Sequence, residues 1–300
     1  MWLVYALVGY LLLAIVLILD KKILSKERTK PVVFAFYSTI FVLVLGCAWL
    51  GNVSLLSTTF DWLVAMISGF SFGFGLWWMY KAVHEGEASH LDPFIGAVIT
   101  ITTFAIASIW LGENFTRQQI LGISILALAS LLLSLRRKHS HVRFEKGLWW
   151  AIIAGIAFAV SNVTAKYLYS MYPFMPAFVA SRFSIGLFGL CLLPNRAVLQ
   201  SFKKRPATKE KKSKGSLAYI VLDKILGIFG VVLIQGAIAK GSVTVVNAMS
   251  GLQYGFLFFL IIVLSKFRPG LFKEYFSRIE IVIQTIAMVL IFFGLAFVVM

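Results

Sequence analysis

Residues 147–168 read GLWWAIIAGIAFAVSNVTAKYL, and this stretch decides the fold. It contains one charged side chain, Lys166, in 22 residues. A helix needs about 20 mostly apolar residues to cross the hydrocarbon core of a bilayer. The stretch therefore predicts a membrane-spanning helix. It also carries Asn162 four residues before Lys166, which places both polar groups on one face of that helix.

Nine other stretches have a similar length and apolar character. They are 2–19, 31–50, 60–81, 92–111, 118–135, 176–194, 217–239, 243–265 and 280–300. The chain is 60% hydrophobic and only 13% charged, about half the usual charged share of roughly 25%. This composition excludes a soluble enzyme, and the continuous apolar runs disfavour a barrel, whose strands alternate apolar and polar residues. We predict an all-α integral membrane protein with ten transmembrane helices.

The positive charges predict how the chain sits in the membrane. Of the 28 Lys and Arg residues, 23 fall in alternate loops on one side of the membrane, and eight of these lie in the loop 195–216. Positive loops stay in the cytoplasm. We expect a multi-pass protein of the cell (inner or plasma) membrane, with basic loops inside and both termini outside. The net charge of +16 is then a topology signal, and we expect no nucleic-acid partner, although 196–214 could contact anionic lipid.

The chain also contains an internal repeat. Ala82-x-x-x-Gly86 recurs as Ala237-x-x-x-Gly241 at an offset of 155 residues, and Lys21 and Lys166 match at an offset of 145. We predict two five-helix units, 1–140 and 145–300. A tandem copy of a unit with an odd number of spans enters the membrane inverted. Inverted repeats are how many transporters build two access states around a site at the midplane.

Polar residues within the spans are the candidate site. Charged groups inside a bilayer are costly and usually face a cavity or a partner. We predict that the substrate-binding residues are Asn162, Lys166, Arg182, Gln235, Asn247 and Tyr254. Two alternatives stay open: Lys166 snorkels to the interface, and Arg182 pairs with a carbonyl or a helix end.

Asp223 is a weaker candidate, for binding a coupling ion within the eighth span. A pair with Lys224, or exposure at the interface, is the alternative. The segment from His84 to His90 matches no zinc spacing, and we expect no metal and no cofactor.

Several motifs resemble those of the drug/metabolite transporter superfamily, EamA type. They are Ala82-Val-His-Glu-Gly86-Glu-Ala88 through Pro93, Leu111-Gly112-Glu113, Gln119 to Gly122, and Asn162, Lys166 and Arg182 in the second unit. The resemblance implies ten helices in two inverted repeats around a central cavity. It also implies movement of small metabolites, often export of amino acids, and a structural role for Glu113.

The sequence thus predicts a secondary-active permease, not an enzyme, that moves a small anionic or zwitterionic solute by alternating access. The expected partners are this solute and membrane lipid, with a possible homo-oligomer. One alternative is a lipid or lipid-linked sugar flippase of the same fold. Another is a membrane-embedded lipid-modifying enzyme using His84, Glu85, Glu87, His90 and Asp92. A third is a non-transporting scaffold.

Overall fold

The computed structural model describes residues 1–24, 30–51, 53–85, 88–134, 147–203, 214–267 and 278–299. These residues form α-helices joined by short turns. The helices are α1 (Trp2–Leu24), α2 (Pro31–Ile40), α3 (Thr59–Glu85), α4 (Ala88–Ile106), α5 (Arg117–Ser134), α6 (Gly147–Met171), α7 (Phe174–Leu192), α8 (Arg196–Lys203), α9 (Lys214–Lys240), α10 (Val243–Ala248), α11 (Gly251–Phe267) and α12 (Arg278–Val299). A 3₁₀ segment, Phe41–Leu50, continues α2, and a π segment, Ala107–Leu111, continues α4.

Within the described ranges, nine helical segments are long and apolar enough to cross a membrane. The predicted all-α integral membrane fold is confirmed. The eighth predicted span, 217–239, falls on α9, where the apolar part with described side chains is Ile225–Lys240. The count of ten spans therefore stays a prediction.

The basic loops fall largely outside the described residues, which leave out 25–29, 86–87, 135–146, 204–213 and 268–277. The orientation drawn from their charges stays a prediction. One part of the predicted loop 195–216 is instead the helix α8. It forms because Val198 is fully buried against residues of α2 and α7, among them Phe36 and Leu192.

Close helix contacts determine which spans lie side by side. Helix α3 packs along α6 and α7, α1 along α9, and α5 along α12, while α2 and its 3₁₀ continuation pack along α7. The contact between α3 and α7 depends on glycine: a Cβ on Gly69 would clash with Ser184, and one on Gly73 would clash with Phe188. The Gly69-x-x-x-Gly73 pattern is thus a close-packing face, as in other membrane helix pairs.

Two interruptions shape the helices around the candidate site. After the π segment, Gly112 adopts a φ of 66°, a left-handed conformation that glycine takes without a steric cost, and the chain turns to present Glu113. The second interruption is at Met249 and Ser250, where a turn separates α10 from α11. Asn247 lies in the last turn of α10, just before this break.

Candidate functional site

Three of the predicted site residues meet in one hydrogen-bonded cluster, which we call the amide network. Asn162 Nδ2 donates to Asn247 Oδ1 at 3.1 Å, and Gln235 Nε2 donates to Asn162 Oδ1 at 3.4 Å. Asn247 Nδ2 in turn donates to Thr103 Oγ1 at 3.0 Å. The network therefore joins α4, α6, α9 and α10. Each amide also carries a second N–H, so the network retains donors that a bound molecule can use.

Arg182 adjoins the amide network through Tyr169. The Tyr169 hydroxyl donates to Gln235 Oε1 at 2.9 Å, and its oxygen interacts with the Arg182 guanidinium. Arg182 is 5% exposed, and the rings of Phe72 and Phe178 lie 5.1 and 5.5 Å from its Cζ. Cation–π contacts of this kind stabilise a desolvated guanidinium. Nε of Arg182 is buried without a hydrogen-bond partner in the described part of the chain.

Lys166 lies one turn beyond Asn162 on α6, but its ammonium is engaged elsewhere. Nζ donates to the carbonyl oxygens of Ile238 at 3.0 Å, Ala239 at 3.2 Å and Gly241 at 2.7 Å. These carbonyls end α9, and a cation is stabilised at the C-terminus of a helix. The structure thus places Lys166 beside the amide network and in contact with a helix end. The sequence had suggested a contact of this kind for Arg182.

Glu113 closes the bundle at the same end. Its carboxylate accepts from Ser242 Oγ at 2.8 Å, from Val243 N at 3.0 Å and from Thr244 Oγ1 at 2.8 Å. It therefore caps the N-terminus of α10, where a negative charge is favoured, and it also attracts Lys166. These bonds agree with the structural role that the family resemblance implies for Glu113.

A second carboxylate ties the same end of the molecule. Asp61, at the start of α3, accepts from Thr58 Oγ1 and from the Tyr172 hydroxyl, the latter at 2.6 Å. Tyr172 lies in the turn between α6 and α7, so this contact joins two parts of the bundle.

We call this end of the bundle the outer end. It carries the turns at 53–58, 112–116, 172–173 and 241–242, which the charge distribution predicts to face outside. A cavity of about 310 Å³ opens there beside Glu113 and Ser242.

Tyr254 lies apart from the amide network. It shares a helical repeat with Asn247 in the sequence, but the break at Met249 and Ser250 comes between them. The Tyr254 ring instead lies against α4 near Gly96, within electrostatic range of Asp92. None of the hydrogen bonds among the described residues joins Tyr254 to the network.

Asp223 is also separate from the amide network. It is fully buried on α9, twelve residues before Gln235, which corresponds to about 18 Å along a helix. Its proposed role in binding a coupling ion stays a prediction.

Sequence reasoning placed neither Tyr169 nor Thr103 among the substrate-binding residues. One signal could have found Tyr169: it lies seven residues after Asn162, and so on the same helix face. No pattern pointed to the Asp61–Tyr172 contact, because these residues are 111 positions apart.

The residues suggested for a lipid-modifying enzyme are not shown to form one site. His84 and Glu85 are exposed at the end of α3, whereas Asp92 faces α11. Glu87 and the side chain of His90 lie outside the described residues. Within the described ranges, no group of three or more His, Cys, Asp or Glu residues has the geometry to hold a metal ion.

Comparison with known proteins adds a family and a fold. Residues 1–135 match the sequence model of the EamA-like transporter family. One solved structure, titled only "Crystal structure of protein", is similar with a TM-score of 0.66 and 16% identity over 99% of this chain and 98% of that one. No curated protein matches the sequence. At this identity the solved structure supports the fold alone.

The family match ends near the last residue of α5, and it agrees with the motifs in the first unit that carried the resemblance. It confirms the resemblance to the drug/metabolite transporter superfamily. The chain is a multi-pass α-helical membrane protein, and the match of its first 135 residues to the EamA-like transporter family supports a membrane transporter.

Proposed function

We propose that this protein is a secondary-active permease for a small anionic or zwitterionic solute, such as an amino acid, and that Arg182 and the amide network bind the solute. The observation that carries this proposal is Arg182. It is a buried cation within a membrane-spanning helix, and none of its contacts among the described residues is with a carboxylate.

A buried guanidinium without a counter-ion is an expensive arrangement in a membrane. The two phenylalanine rings and the Tyr169 oxygen offset part of that cost, but they supply no negative charge. A solute carboxylate or phosphate would supply it, because guanidinium groups bind such anions through paired hydrogen bonds. Arg182 therefore fixes the acidic end of the solute.

The amide network fits the rest of a zwitterionic solute. Carboxamide oxygens of Asn162, Gln235 and Asn247 are acceptors for an ammonium group, and their remaining N–H groups are donors for a carboxylate. Lys166 acts mainly by holding the end of α9, which positions Gln235 on the same helix. In this proposal Tyr254 lines the path on the inner side of the network.

The helix pairings support inverted repeats and alternating access. The offsets of 145 and 155 residues relate α1 to α6, α2 to α7 and α3 to α9, and α5 and α12 are the last helices of the two units. A twofold axis would exchange the pair α3–α6 with α9–α1 and would map the pairs α2–α7 and α5–α12 onto themselves. All four pairs are in contact. We infer that the units 1–140 and 145–300 are related in this way.

A melting experiment tests the proposed solute class. The full-length protein in detergent is melted against amino acids, organic acids, sugar phosphates, phospholipid headgroups and hydrophobic cations. A solute that binds only the folded state adds about 2.7 kcal/mol at 100 times its dissociation constant. The variant Arg182→Gln is melted in parallel. The matched control is Arg117→Gln, because Arg117 is exposed at the outer start of α5.

We expect an anionic or zwitterionic compound to stabilise the wild type and Arg117→Gln but not Arg182→Gln. Equal stabilisation of Arg182→Gln would contradict the role of the arginine. Stabilisation only by lipid headgroups would favour the flippase, and chemical turnover of a lipid would favour the enzyme.

A further inference from the structure

The inner half of the bundle holds a polar group that the proposed solute site does not use. Asp92 lies in the early turns of α4, and Gly96 follows on the same helix face. A Cβ on Gly96 would lie 3.0 Å from Ser250 Oγ and 3.8 Å from Tyr254 Cε2. This face therefore packs on α11. The electrostatic interaction between Asp92 and the Tyr254 hydroxyl agrees with that placement.

Asp92 and Ser250 both have unsatisfied polar atoms. Asp92 Oδ1 and Ser250 Oγ are buried, and neither has a hydrogen-bond partner among the described residues. Buried polar groups are nearly always hydrogen-bonded, and each exception needs an explanation. An intramembrane carboxylate is especially costly and commonly marks an ion or proton pathway.

A polar stripe on α4 joins Asp92 to the amide network. Thr100 Oγ1 donates to the Gly96 carbonyl at 2.9 Å and lies 3.4 Å from the Asn247 carbonyl oxygen. Thr103 Oγ1 accepts from Asn247 Nδ2. The eleven residues from Asp92 to Thr103 span about 17 Å of helix. The repeat offset of 155 residues also pairs Asp92 with Asn247.

We propose that Asp92 is the proton-coupling carboxylate of this transporter. It binds a proton from the water on one side in one access state and releases the same proton to the other side in the next. The proposal rests on the proposed function, because a coupling group needs a transported solute. It differs from the sequence expectation, which placed the coupling ion at Asp223.

The surroundings favour a proton over a metal cation. Hard metal cations take a cage of several oxygen ligands, whereas no group of three or more His, Cys, Asp or Glu residues in the described ranges could hold a metal ion. A proton needs only the carboxylate, and protonation removes the charge that is costly in an apolar environment.

Few other described titratable groups face this position. Tyr254 on α11 lies within electrostatic range of Asp92 and of Tyr10 on α1. At the inner end of α3, Lys81 lies over the ring of Trp150, and His84 and Glu85 are exposed. The described titratable groups of α5 and α6 lie toward the outer end, and α10 has none. Asp92 is therefore the carboxylate on this face that can switch charge.

The first experiment detects the proton directly and needs no solute. Full-length protein reconstituted in lipid is titrated from alkaline to acidic pH, and the infrared C=O absorption of protonated carboxyl groups is recorded. Asp92→Asn keeps the side-chain size and removes the titration, while Asp92→Glu restores it. The matched control is Asp223→Asn, because Asp223 is a fully buried carboxylate on another long helix.

We expect the band of a carboxylic acid in apolar surroundings to be present in the wild type and Asp223→Asn, absent in Asp92→Asn, and shifted in Asp92→Glu. Persistence of that band in Asp92→Asn, or its loss in Asp223→Asn alone, would overturn the assignment. Thermal melts of every variant verify that each is folded.

The second experiment tests coupling with the solute that stabilises the wild type most. In proteoliposomes, one pH unit should support up to about tenfold accumulation per coupled proton. Asp92→Asn should still exchange labelled solute for unlabelled solute but should not accumulate it. Accumulation by Asp92→Asn, or accumulation driven by Na⁺ instead of protons, would overturn the proposal. If no solute stabilises the wild type, the proposed function fails, and the coupling role fails with it even where the infrared band depends on Asp92.

Discussion

The two ends of the helix bundle are held together by different kinds of contact. At the outer end, Glu113 and Asp61 accept hydrogen bonds from other segments, and Lys166 donates to the end of α9. At the inner end, the described contacts combine ring contacts, such as Phe34 with Tyr80 at a centroid distance of 5.0 Å, with a hydrogen bond between the neutral hydroxyls of Ser38 and Tyr80 at 3.0 Å.

This difference predicts which end of the bundle opens more easily. Charge-assisted hydrogen bonds are directional and strong, so the outer end has one well-defined closed arrangement. Ring contacts tolerate sliding, because dispersion and area burial are not directional. We interpret the structure as closed at the outer end, where opening requires that several bonds break together. We expect the inner end to separate at lower cost.

The largest effect should come from breaking the Glu113 cap. Glu113→Gln keeps the shape but removes the charge and one acceptor oxygen, which leaves the N-terminus of α10 and the hydroxyls of Ser242 and Thr244 poorly satisfied. We expect a loss of about 2–3 kcal/mol in the free energy of unfolding, measured by denaturation in detergent. Glu85→Gln, at an exposed inner position, is the control. Equal free energies of unfolding for the two variants would show that the hydrogen bonds of Glu113 stabilise the protein no more than an exposed inner residue does.

A smaller effect should follow when the hydrogen bonds of Asp61 at the outer end are weakened. Asp61→Asn weakens two hydrogen bonds, and we expect a loss of about 1–2 kcal/mol. The double variant with Tyr172→Phe should lose less than the sum of the single losses, because residues that share a bond are not additive. If the losses in a double-mutant cycle are fully additive, the hydrogen bond between Asp61 and Tyr172 contributes nothing to the stability of the outer end.

Within the amide network the expected change is smaller still. Thr103→Ala removes the acceptor of the Asn247 side-chain N–H, and interhelical hydrogen bonds in membranes average about 0.6 kcal/mol. We predict a loss of about 0.5–1 kcal/mol for Thr103→Ala. Thr102→Ala, one position away on the same helix, should change stability less. A larger loss for Thr102→Ala would place the network on the wrong face of α4.

The smallest effect should be at the exposed inner end. His84→Ala should alter the free energy of unfolding by less than about 0.5 kcal/mol, as is usual for surface substitutions. It should also leave the solute-dependent rise in melting temperature unchanged, because His84 lies at the exposed inner end of α3. Loss of that rise in His84→Ala would instead support the lipid-modifying enzyme.

Much of this molecule was predictable from local pattern. Long apolar runs predicted the helical membrane fold, and the cost of burying amides predicted that Asn162, Gln235 and Asn247 belong to a site. The structure joins these three side chains directly. Glu113 was assigned a structural role through the family motif, and its three hydrogen bonds agree with that role.

Other features depend on contacts that no local pattern encodes. Lys166 binds backbone carbonyls more than 70 residues later in the chain, and a carbonyl has no residue-specific signature. The break after Asn247 separates Tyr254 from the network although their spacing predicted a shared face. From the sequence, Asp92 was named only as a candidate residue of the lipid-modifying enzyme, because its position against α11 depends on how α4 packs.

The most direct test of the central claim is solute counterflow in proteoliposomes. The labelled compound is the anionic or zwitterionic solute that most stabilises the wild type, and the vesicles are preloaded with the same compound unlabelled. We predict uptake of label by the wild type and Arg117→Gln, and none by Arg182→Gln that remains folded. Counterflow by Arg182→Gln at the wild-type rate would contradict the account, as would the absence of counterflow in the wild type.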